Sequence, residues 1–310
     1  MKIRYNFSYG CDVMNSIQLL IKDICEEEGI HFQMISKDWI AVLEKNGVSH
    51  YITGSRFDLN NYTSARICND KYACYCALKY HHIPVCEYEI LYADTKEERV
   101  HELFQTFHQN VVIKANEGSF GDQMFHVEDY SFLKDKMNLL FEKHSSISIS
   151  PFYSIHCEYR VIVLDGEVEL IYGKKMPSVV GDGIHTVYEL LCSFNKPFFQ
   201  KIENHSSLDF VLKEGEVYQY GWQHNISKGA IPFLIEDDFL KQKLSDIAIL
   251  ATEKLNLRFV SVDIIELDSG ELKIIEINSG VITNVVPYLE DGERIAEEIY
   301  HKAVLKMFEE

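Results

Sequence analysis

The feature that most constrains this chain is a pair of Val- and Ile-rich runs near its end, at residues 259–278. The runs flank a polar stretch from Asp268 to Glu271, which predicts a β-hairpin with a tight turn. A loop made of the two central residues, or of all four, pairs Asp263 directly with Glu276. Two apolar pairs then lie on the other face and fix the register: Val262 with Ile277 and Ile264 with Ile275.

This pairing gathers polar groups on one face of the hairpin. The Cβ atoms of Asp263 and Glu276 would lie about 5 Å apart, and Asn278, two residues beyond Glu276, points the same way. The carboxylates repel each other unless a cation lies between them, and two carboxylates with substrate phosphates commonly hold Mg²⁺. Two alternatives stay open at this point. The face can be a solvated one, and a three-residue loop would shift the register by one and separate the pair.

Composition limits the class of protein. The 310 residues are enough for two or three domains with substantial cores. A net charge of −18 argues against nucleic acid or an anionic membrane surface as partners. The eight cysteines include no CxxC pair, which indicates reduced thiols of a cytosolic protein. With no signal-peptide pattern and no apolar run of membrane-spanning length, we expect a soluble cytoplasmic protein.

The first part of the chain, residues 1–66, has the pattern of a small α/β unit. Apolar residues recur at helical spacing from Ile17 to Glu28, and three short strand-like runs follow. After this unit, Asn69 or Asp70 is placed to cap a helix.

A buried-type strand then ends on Lys114 and leads into a loop that contains Gly118 and Gly121. A strand that runs into a Gly-containing loop commonly offers backbone N–H groups to phosphate oxygens, with a lysine beside them as counter-charge. The alternative is an ordinary hairpin loop with two turn glycines. This loop is not a Walker A motif, because no Gly-Lys-Ser/Thr follows at the required spacing.

A second hairpin is predicted over residues 159–172, with Asp165-Gly166 as a type I′ turn. Alternation predicts two sets of side chains: Val161, Val163, Val168 and Leu170 face the core, and Glu158, Arg160 and Glu169 face the other side. A solvated face with mixed charges is the alternative for the second set. Farther on, residues 193–220 are polar and irregular, and two amphipathic helices are expected, from Phe239 to Leu255 and near 292–308.

In this order, the features resemble the ATP-grasp enzymes. The resemblance covers roughly residues 55–285 and depends on five ordered motifs. They are Asn69-Asp70-Lys71 before a helix that ends in Ile-Pro-Val; Val-Val-Ile-Lys114 with its Gly loop; Glu158-Tyr-Arg160, followed by the run from Lys175 to Thr186; Asn225-Ile-Ser-Lys-Gly229; and Asp263 with Glu276-Ile-Asn278. The pattern is most similar to the ATP-grasp region of cyanophycin synthetases and bifunctional glutathione synthetases, and more distantly to D-alanine–D-alanine ligases and RimK-type ligases.

The resemblance implies an α+β fold in which two α+β lobes clamp ATP, preceded by a small α/β N-terminal domain. The implied domains are residues 1–66, a central lobe with the Gly loop at 67–147, and a C-terminal lobe with the metal site at 148–310. The implied activity is that of an ATP-dependent carboxylate–amine ligase, which forms a C–N bond through an acyl phosphate. Its substrates would be small-molecule or peptide carboxylates and amines, and a homodimer is compatible with this class.

The resemblance also implies roles for individual residues. For the nucleotide, Lys71 and Lys114 would contact the phosphates, Gly118, Ser119 and Gly121 would form the loop over them, and Glu158 would bind the ribose hydroxyls. For the chemistry, Arg160 and Lys175 would neutralise the γ-phosphate and the acyl phosphate. For the metal, Asp263, Glu276 and Asn278 would hold two Mg²⁺ ions, with Mn²⁺ as a substitute, and Asn225 would lie close by.

The sequence departs from the family pattern at two places. The Gly loop continues with Asp122 and Gln123 where the family has a lysine and a glycine, and the residues after Asn278 are Ser279-Gly280-Val281 in place of a small-Pro-Gly run. Two other functions therefore stay open: a small-molecule kinase on the same scaffold, and a nucleotide-binding regulatory protein with a decayed site. The substrates are not predicted. An aromatic group at 218–224 is placed either to line their pocket or simply to pack.

Overall fold

The computed structural model describes residues 11–36, 39–117, 123–283 and 289–309. Its N-terminal part consists of helix α1 (Cys11–Glu27) and a four-stranded antiparallel sheet. The strands are adjacent in chain order: β1 (His31–Ser36), β2 (Ile40–Lys45), β3 (Val48–Thr53) and β4 (Arg56–Phe57). The predicted apolar stripe of α1, which includes Ile17 and Ile21, is buried against this sheet.

The central part carries a second antiparallel sheet, in the order β5-β8-β6-β7. Its elements are α2 (Tyr62–Asn69), α3 (Lys71–Tyr80), β5 (Glu89–Tyr92), α4 (Glu97–Thr106), β6 (Val111–Ala115), β7 (Phe125–Val127), α5 (Tyr130–Phe141) and β8 (Ser146–Pro151). Helices α4 and α5 bury Leu103 and Leu133 against Ile113 and Ile149 of the sheet. The predicted cap of α3 is Asp70, whose side chain accepts a hydrogen bond from the Ala73 amide at 2.8 Å.

The C-terminal part begins with the hairpin of β9 (Ile155–Leu164) and β10 (Glu167–Lys175). Asp165 and Gly166 both have positive φ, +49° and +80°, as a type I′ turn requires. A bulge at Glu169 shifts the register, so that Leu170 lies opposite Ile162 and Tyr172 opposite Arg160. The predicted placement of Leu170 on the side of Val161 and Val163 is therefore wrong.

The segment of the chain between β10 and the next strand of its sheet forms a small unit with a core of its own. Its elements are β11 (Ser178–Val180), α6 (Val187–Phe194), α7 (Lys196–Phe199), a 3₁₀ turn (Ser206–Leu208), β12 (Val217–Gln219) and a second 3₁₀ turn (Ile226–Lys228). Strands β11 and β12 pair with each other. Leu191, Phe199, Leu208 and Leu212 are buried together, although their spacing along the chain is too irregular to predict an element.

The largest sheet is completed by β13 (Ile231–Leu234), α8 (Asp238–Lys254), β14 (Phe259–Leu267) and β15 (Leu272–Asn278), in the order β13-β10-β9-β14-β15. Both faces are covered over part of their area. Val161 and Val262 pack against α8 and the α2–α3 pair on one face. On the other face, Ile162 and Phe259 pack against the N-terminal sheet and the last helix.

The closing hairpin has the predicted pairing around Asp263 but not beside its turn. Asp263 lies opposite Glu276 and Val262 opposite Ile277, as predicted. The loop has three residues, closed by a hydrogen bond from the Leu267 amide to the Glu271 carbonyl at 2.9 Å. Ile264 therefore faces Ile274, and the predicted pairing with Ile275 is wrong. One extra residue in β15, a β-bulge, restores the register before Glu276 is reached.

The last helix, α9 (Gly292–Met307), packs on α1 at the far end of the chain. Its Tyr300 hydroxyl donates to the Val281 carbonyl at 2.9 Å and accepts from the Thr283 amide at 3.2 Å. These bonds fix the backbone that follows Asn278. Across the described residues, no helix combines the length and the apolar character needed to cross a membrane.

We expect Tyr300→Phe to lower the free energy of unfolding by about 2 kcal/mol, because it leaves a buried carbonyl and a buried amide without their partner. Urea denaturation measures this loss. Tyr62→Phe is the matched control, since Tyr62 is 82% exposed and its change should stay within about 0.5 kcal/mol. Equal effects of the two variants would contradict the assignment.

Candidate active site

Four charged side chains meet on the three central strands of the five-stranded sheet. Arg160 donates from Nε and Nη2 to the two carboxylate oxygens of Asp263, at 2.8 and 2.7 Å. Lys174 Nζ donates to Asp263 Oδ1 at 3.0 Å and also contacts Glu158. The register explains this meeting, because Asp263 lies opposite Arg160 and Glu158 lies opposite Lys174. Strands β10, β9 and β14 thus each contribute to one cluster.

Burial makes the charge balance of this cluster important. Asp263 is 4% exposed and Lys174 is 5% exposed. Burial by itself would raise the pKa of Asp263, but the charges of Arg160 and Lys174 outweigh it and hold that pKa well below its usual range. Burial likewise opposes the charge of Lys174, yet Asp263 and Glu158 raise its pKa. Asp263 and Lys174 are therefore both held in the ionised form at neutral pH.

The predicted metal ligands lie on the same face, one strand farther along. Glu276 on β15 faces Asp263, and Asn278 Nδ2 donates to Asp263 Oδ2 at 3.3 Å. In the described residues, no three His, Cys, Asp or Glu side chains converge, so the donor set is two carboxylates and one amide. Such oxygen donors suit Mg²⁺, which takes its remaining ligands from phosphates and water. The residues present therefore fit the ion, with Asp263 shared between it and the two cationic side chains.

Lys71, in the central part of the chain, lies near Glu276 of the edge strand β15. It is buried at the start of α3, and both its amide and its Nζ lie near the Asn116 carbonyl, at 3.2 and 3.4 Å. Burial lowers the pKa of Lys71, and the charge of Glu276 opposes that shift. The Asn116 side chain is fully buried, and its Nδ2 has no hydrogen-bond partner among the described residues. Asn116 was not predicted as a site residue.

Lys114 is linked to β15 through a tyrosine. Its Nζ donates to the Tyr88 hydroxyl at 3.1 Å, and that hydroxyl donates to the Ile275 carbonyl at 3.1 Å. Burial holds the pKa of Tyr88 well above its usual range, so the phenol keeps its proton. The chain of two hydrogen bonds joins β6 to the residue beside Glu276. Tyr88 was not predicted, and its place beside the site depends on contacts between distant segments.

The structure does not bring Lys175 to the cluster. Alternation across an unbulged hairpin puts Lys175 on the face of Arg160, but the bulge at Glu169 shifts β10 by one residue. Lys174 consequently faces the cluster and Lys175 is exposed. The sequence places Lys174 next to Lys175, and the bulge determines which of the two lysines faces the cluster.

Of the remaining predicted site residues, the structure describes Asn225 but not those of the Gly loop. Asn225 caps the second 3₁₀ turn, where its side chain accepts from the Ser227 amide at 3.1 Å. Its neighbour His224 is buried with Nδ1 3.3 Å from the Lys174 carbonyl, and burial lowers the pKa of this histidine. The predicted phosphate loop residues Gly118, Ser119 and Gly121 lie outside the described residues.

Comparison with solved structures identifies the fold as the ATP-grasp fold. A bifunctional glutathione synthetase from Pasteurella multocida matches with a TM-score of 0.57 and 15% identity, over 94% of this chain and 44% of that one. A D-alanine–D-alanine ligase from Bacillus anthracis matches with a TM-score of 0.56 and 17% identity, over 79% of this chain and 67% of that one. The predicted α+β fold and the resemblance to ATP-grasp enzymes are thereby confirmed.

Sequence comparison gives relatives of the same kind. The glutathione biosynthesis bifunctional protein GshAB of Listeria monocytogenes serotype 4b is 26% identical over 329 aligned positions, which cover 93% of this chain and 41% of the relative. The match covers most of this chain but only about two fifths of the length of these curated relatives. No family model matches the sequence.

Lys174→Met and Lys175→Met form a matched pair that tests the register of β10. Loss of Lys174 leaves the buried carboxylates short of one partner, so we expect the free energy of unfolding to fall by about 3 kcal/mol. Lys175→Met should change it by no more than about 0.5 kcal/mol, because Lys175 is exposed. Urea denaturation decides the point, and the reverse ranking would show that the cluster is built from the other lysine.

Asp263→Asn tests the charge of the cluster through pH. The lowered pKa of Asp263 stabilises the fold above the ordinary carboxyl pKa of about 4 and loses this effect as pH falls below it. The wild type should exceed the variant by about 3 kcal/mol at neutral pH, and this difference should shrink at pH values below about 4. Urea denaturation across pH, with exposed Asp94→Asn as control, measures it. A constant difference would contradict the prediction.

Proposed function

We propose that this chain is an ATP-dependent carboxylate–amine ligase that forms an amide or peptide bond through an acyl phosphate. The observation that supports this most is the face shared by Asp263, Glu276 and Asn278, with Arg160 and Lys174 bound to the same aspartate. It combines oxygen donors for a divalent cation with fixed positive charge for phosphate. ATP and Mg²⁺ are the cofactors that this arrangement suits.

The positive charge comes from two parts of the chain. Lys71 and Lys114 belong to the central part of the molecule, and Arg160 and Lys174 belong to the large sheet. Phosphoryl transfer depends mainly on positioning and on cancelling the charge of the phosphate oxygens, with little covalent work by the protein. Cations that approach a triphosphate from two lobes meet that requirement. Glu158 and Asn225 are the remaining candidates for contacts to the nucleotide.

Arg160 and Lys174 are held in place by carboxylates before any substrate arrives. Preorganised charges of this kind stabilise a transition state without reorganisation at the moment of reaction. Mg²⁺ held by Asp263, Glu276 and Asn278 would supply further positive charge to the phosphate oxygens. Because Arg160 and Lys174 touch the same carboxylate, these side chains and the metal ligands form one connected unit.

The reaction then has two steps. An oxygen of the substrate carboxylate attacks the γ-phosphorus and ADP leaves, which gives an acyl phosphate. The nitrogen of an amine next attacks the acyl carbon, loses a proton, and inorganic phosphate leaves as the C–N bond forms. Arg160, whose guanidinium plane is fixed by its two hydrogen bonds to Asp263, is suited to stabilise with its remaining N–H groups the oxyanion that develops at the acyl carbon.

Amino acids or peptides are the substrates that the relatives support. Their names refer to glutathione biosynthesis and to the ligation of D-alanine, and both processes join amino acids by amide bonds. An enzyme that consumes ATP also suits the cytoplasm.

Glu276→Gln should abolish turnover and leave the fold intact, because it removes one carboxylate of the metal pair from a half-buried position. The measurement is release of ADP and phosphate that requires both a carboxylate and an amine, across a panel of amino acids and dipeptides. Exposed Glu271→Gln on the same hairpin is the control. Full activity of the Glu276 variant would contradict the metal site.

Mass spectrometry of the product tests the reaction type. A ligase product contains the amide bond and no phosphate, whereas a kinase product keeps the phosphate. A wild type that binds ATP and never turns over with the panel would contradict the proposed function.

A further inference from the structure

The turn between β3 and β4 packs directly on the backbone that follows β15. A Cβ atom on Gly280 would lie 2.7 Å from Ser55 Oγ and 3.2 Å from Arg56 Cγ. The Val281 amide also donates to the Ser55 carbonyl at 3.2 Å. Gly280 is two residues beyond Asn278, so the N-terminal sheet presents Arg56 at the edge of the candidate active site.

The guanidinium of Arg56 reaches the end of helix α2. Its Nη2 donates to Asn69 Oδ1 at 3.3 Å, and Asn69 ends α2 two residues before Lys71. The Arg56 side chain therefore runs from the segment after Asn278 to the segment before Lys71. It is exposed, so a ligand can reach it.

Arg56 differs from the other arginines in the described ranges. Each of the others pairs with a carboxylate: Arg66 with Glu117, Arg99 with Glu89 and Glu102, Arg160 with Asp263, Arg258 with Asp165, and Arg294 with Asp291 and Glu298. The contact that the structure gives Arg56 is to a neutral amide, and no described carboxylate lies within ion-pair distance of it. In a chain of net charge −18, a guanidinium without a carboxylate is unusual.

A buried hydroxyl lies in the same segment. Ser279, between Asn278 and Gly280, is 3% exposed, and its Oγ has no hydrogen-bond partner among the described residues. A buried polar atom without a partner costs free energy unless a ligand or water satisfies it. The segment under Arg56 thus offers a second polar group to a ligand.

We propose that Arg56 binds a carboxylate of the substrate that takes no part in the reaction, such as the free carboxylate of an amino acid or of a peptide C-terminus. The planar fork of a guanidinium matches a carboxylate in bidentate geometry. Arg160 and Lys174 already serve the reacting phosphate and acyl groups, and Arg56 lies apart from them on another sheet. This inference rests on the proposed function and defines Arg56 as a residue that determines substrate specificity.

The test measures binding, so that it does not depend on turnover. Proteinogenic amino acids and dipeptides are titrated calorimetrically as free acids and as C-terminal amides, with and without a non-hydrolysable ATP analogue. The proteins are the wild type, Arg56→Gln, Arg56→Lys, and Arg294→Gln as the matched control on α9. Thermal melting of each variant verifies that it is folded.

We expect the wild type to prefer the acid over the amide for the ligands that bind. Arg56→Gln should weaken acid binding about tenfold or more and leave amide binding unchanged, as loss of a charge-assisted hydrogen bond does. Arg56→Lys should keep part of the preference, and Arg294→Gln should keep all of it. Equal binding of acids and amides, an unchanged preference in Arg56→Gln, or no binding by any acid would overturn the proposal.

The two proposals fail in different ways. A carboxylate preference that requires Arg56, in an enzyme whose product retains phosphate or that releases no ADP, would refute the ligase function and leave the carboxylate site standing. Ligase turnover that is equally fast with acids and amides would do the reverse.

Discussion

The interaction on which the rest of the site depends is the ion pair of Asp263 with Arg160 and Lys174. Its partners come from three adjacent strands of one sheet and are buried, so they must be matched in charge and in position. A carboxylate buried without them would take up a proton or destabilise the fold. The cluster therefore fixes the relative register of β10, β9 and β14 at the place where chemistry is expected.

Two irregularities in strand pairing decide which side chains join this cluster. The bulge at Glu169 turns Lys174 and Tyr172 toward the face of Arg160. The extra residue before Glu276 corrects a three-residue loop that would otherwise have separated Glu276 from Asp263. A bulge changes which side chains share a face while it keeps the strands paired. Both bulges therefore determine which side chains face the cluster.

The large sheet also explains why the site lies at one end of its face. Toward the far end, Ile162, Leu164 and Phe259 are covered by the N-terminal sheet and by α9. Toward the near end, the apolar residues give way to Glu158, Arg160 and Asp263. The N-terminal turn at Ser55 closes over the boundary, which places Arg56 beside the residues after Asn278. The packed apolar core and the charged cluster thus share one face of the sheet.

The sequence by itself determined much of this. A loop of two or four residues predicted that Asp263 faces Glu276, and the same pair forms because a bulge in β15 compensates for the three-residue loop. Asp165-Gly166 predicted its turn, and Asp70 its helix cap, because both depend on neighbouring residues alone. Only the tertiary structure decided that Lys174 rather than Lys175 joins the cluster, that Tyr88 links Lys114 to β15, and that Arg56 overlies Gly280. The bulge depends on how β9 and β10 pair, whereas the hydrogen bonds through Tyr88 and the turn at Ser55 depend on contacts between distant segments, so no local pattern in the sequence encodes them.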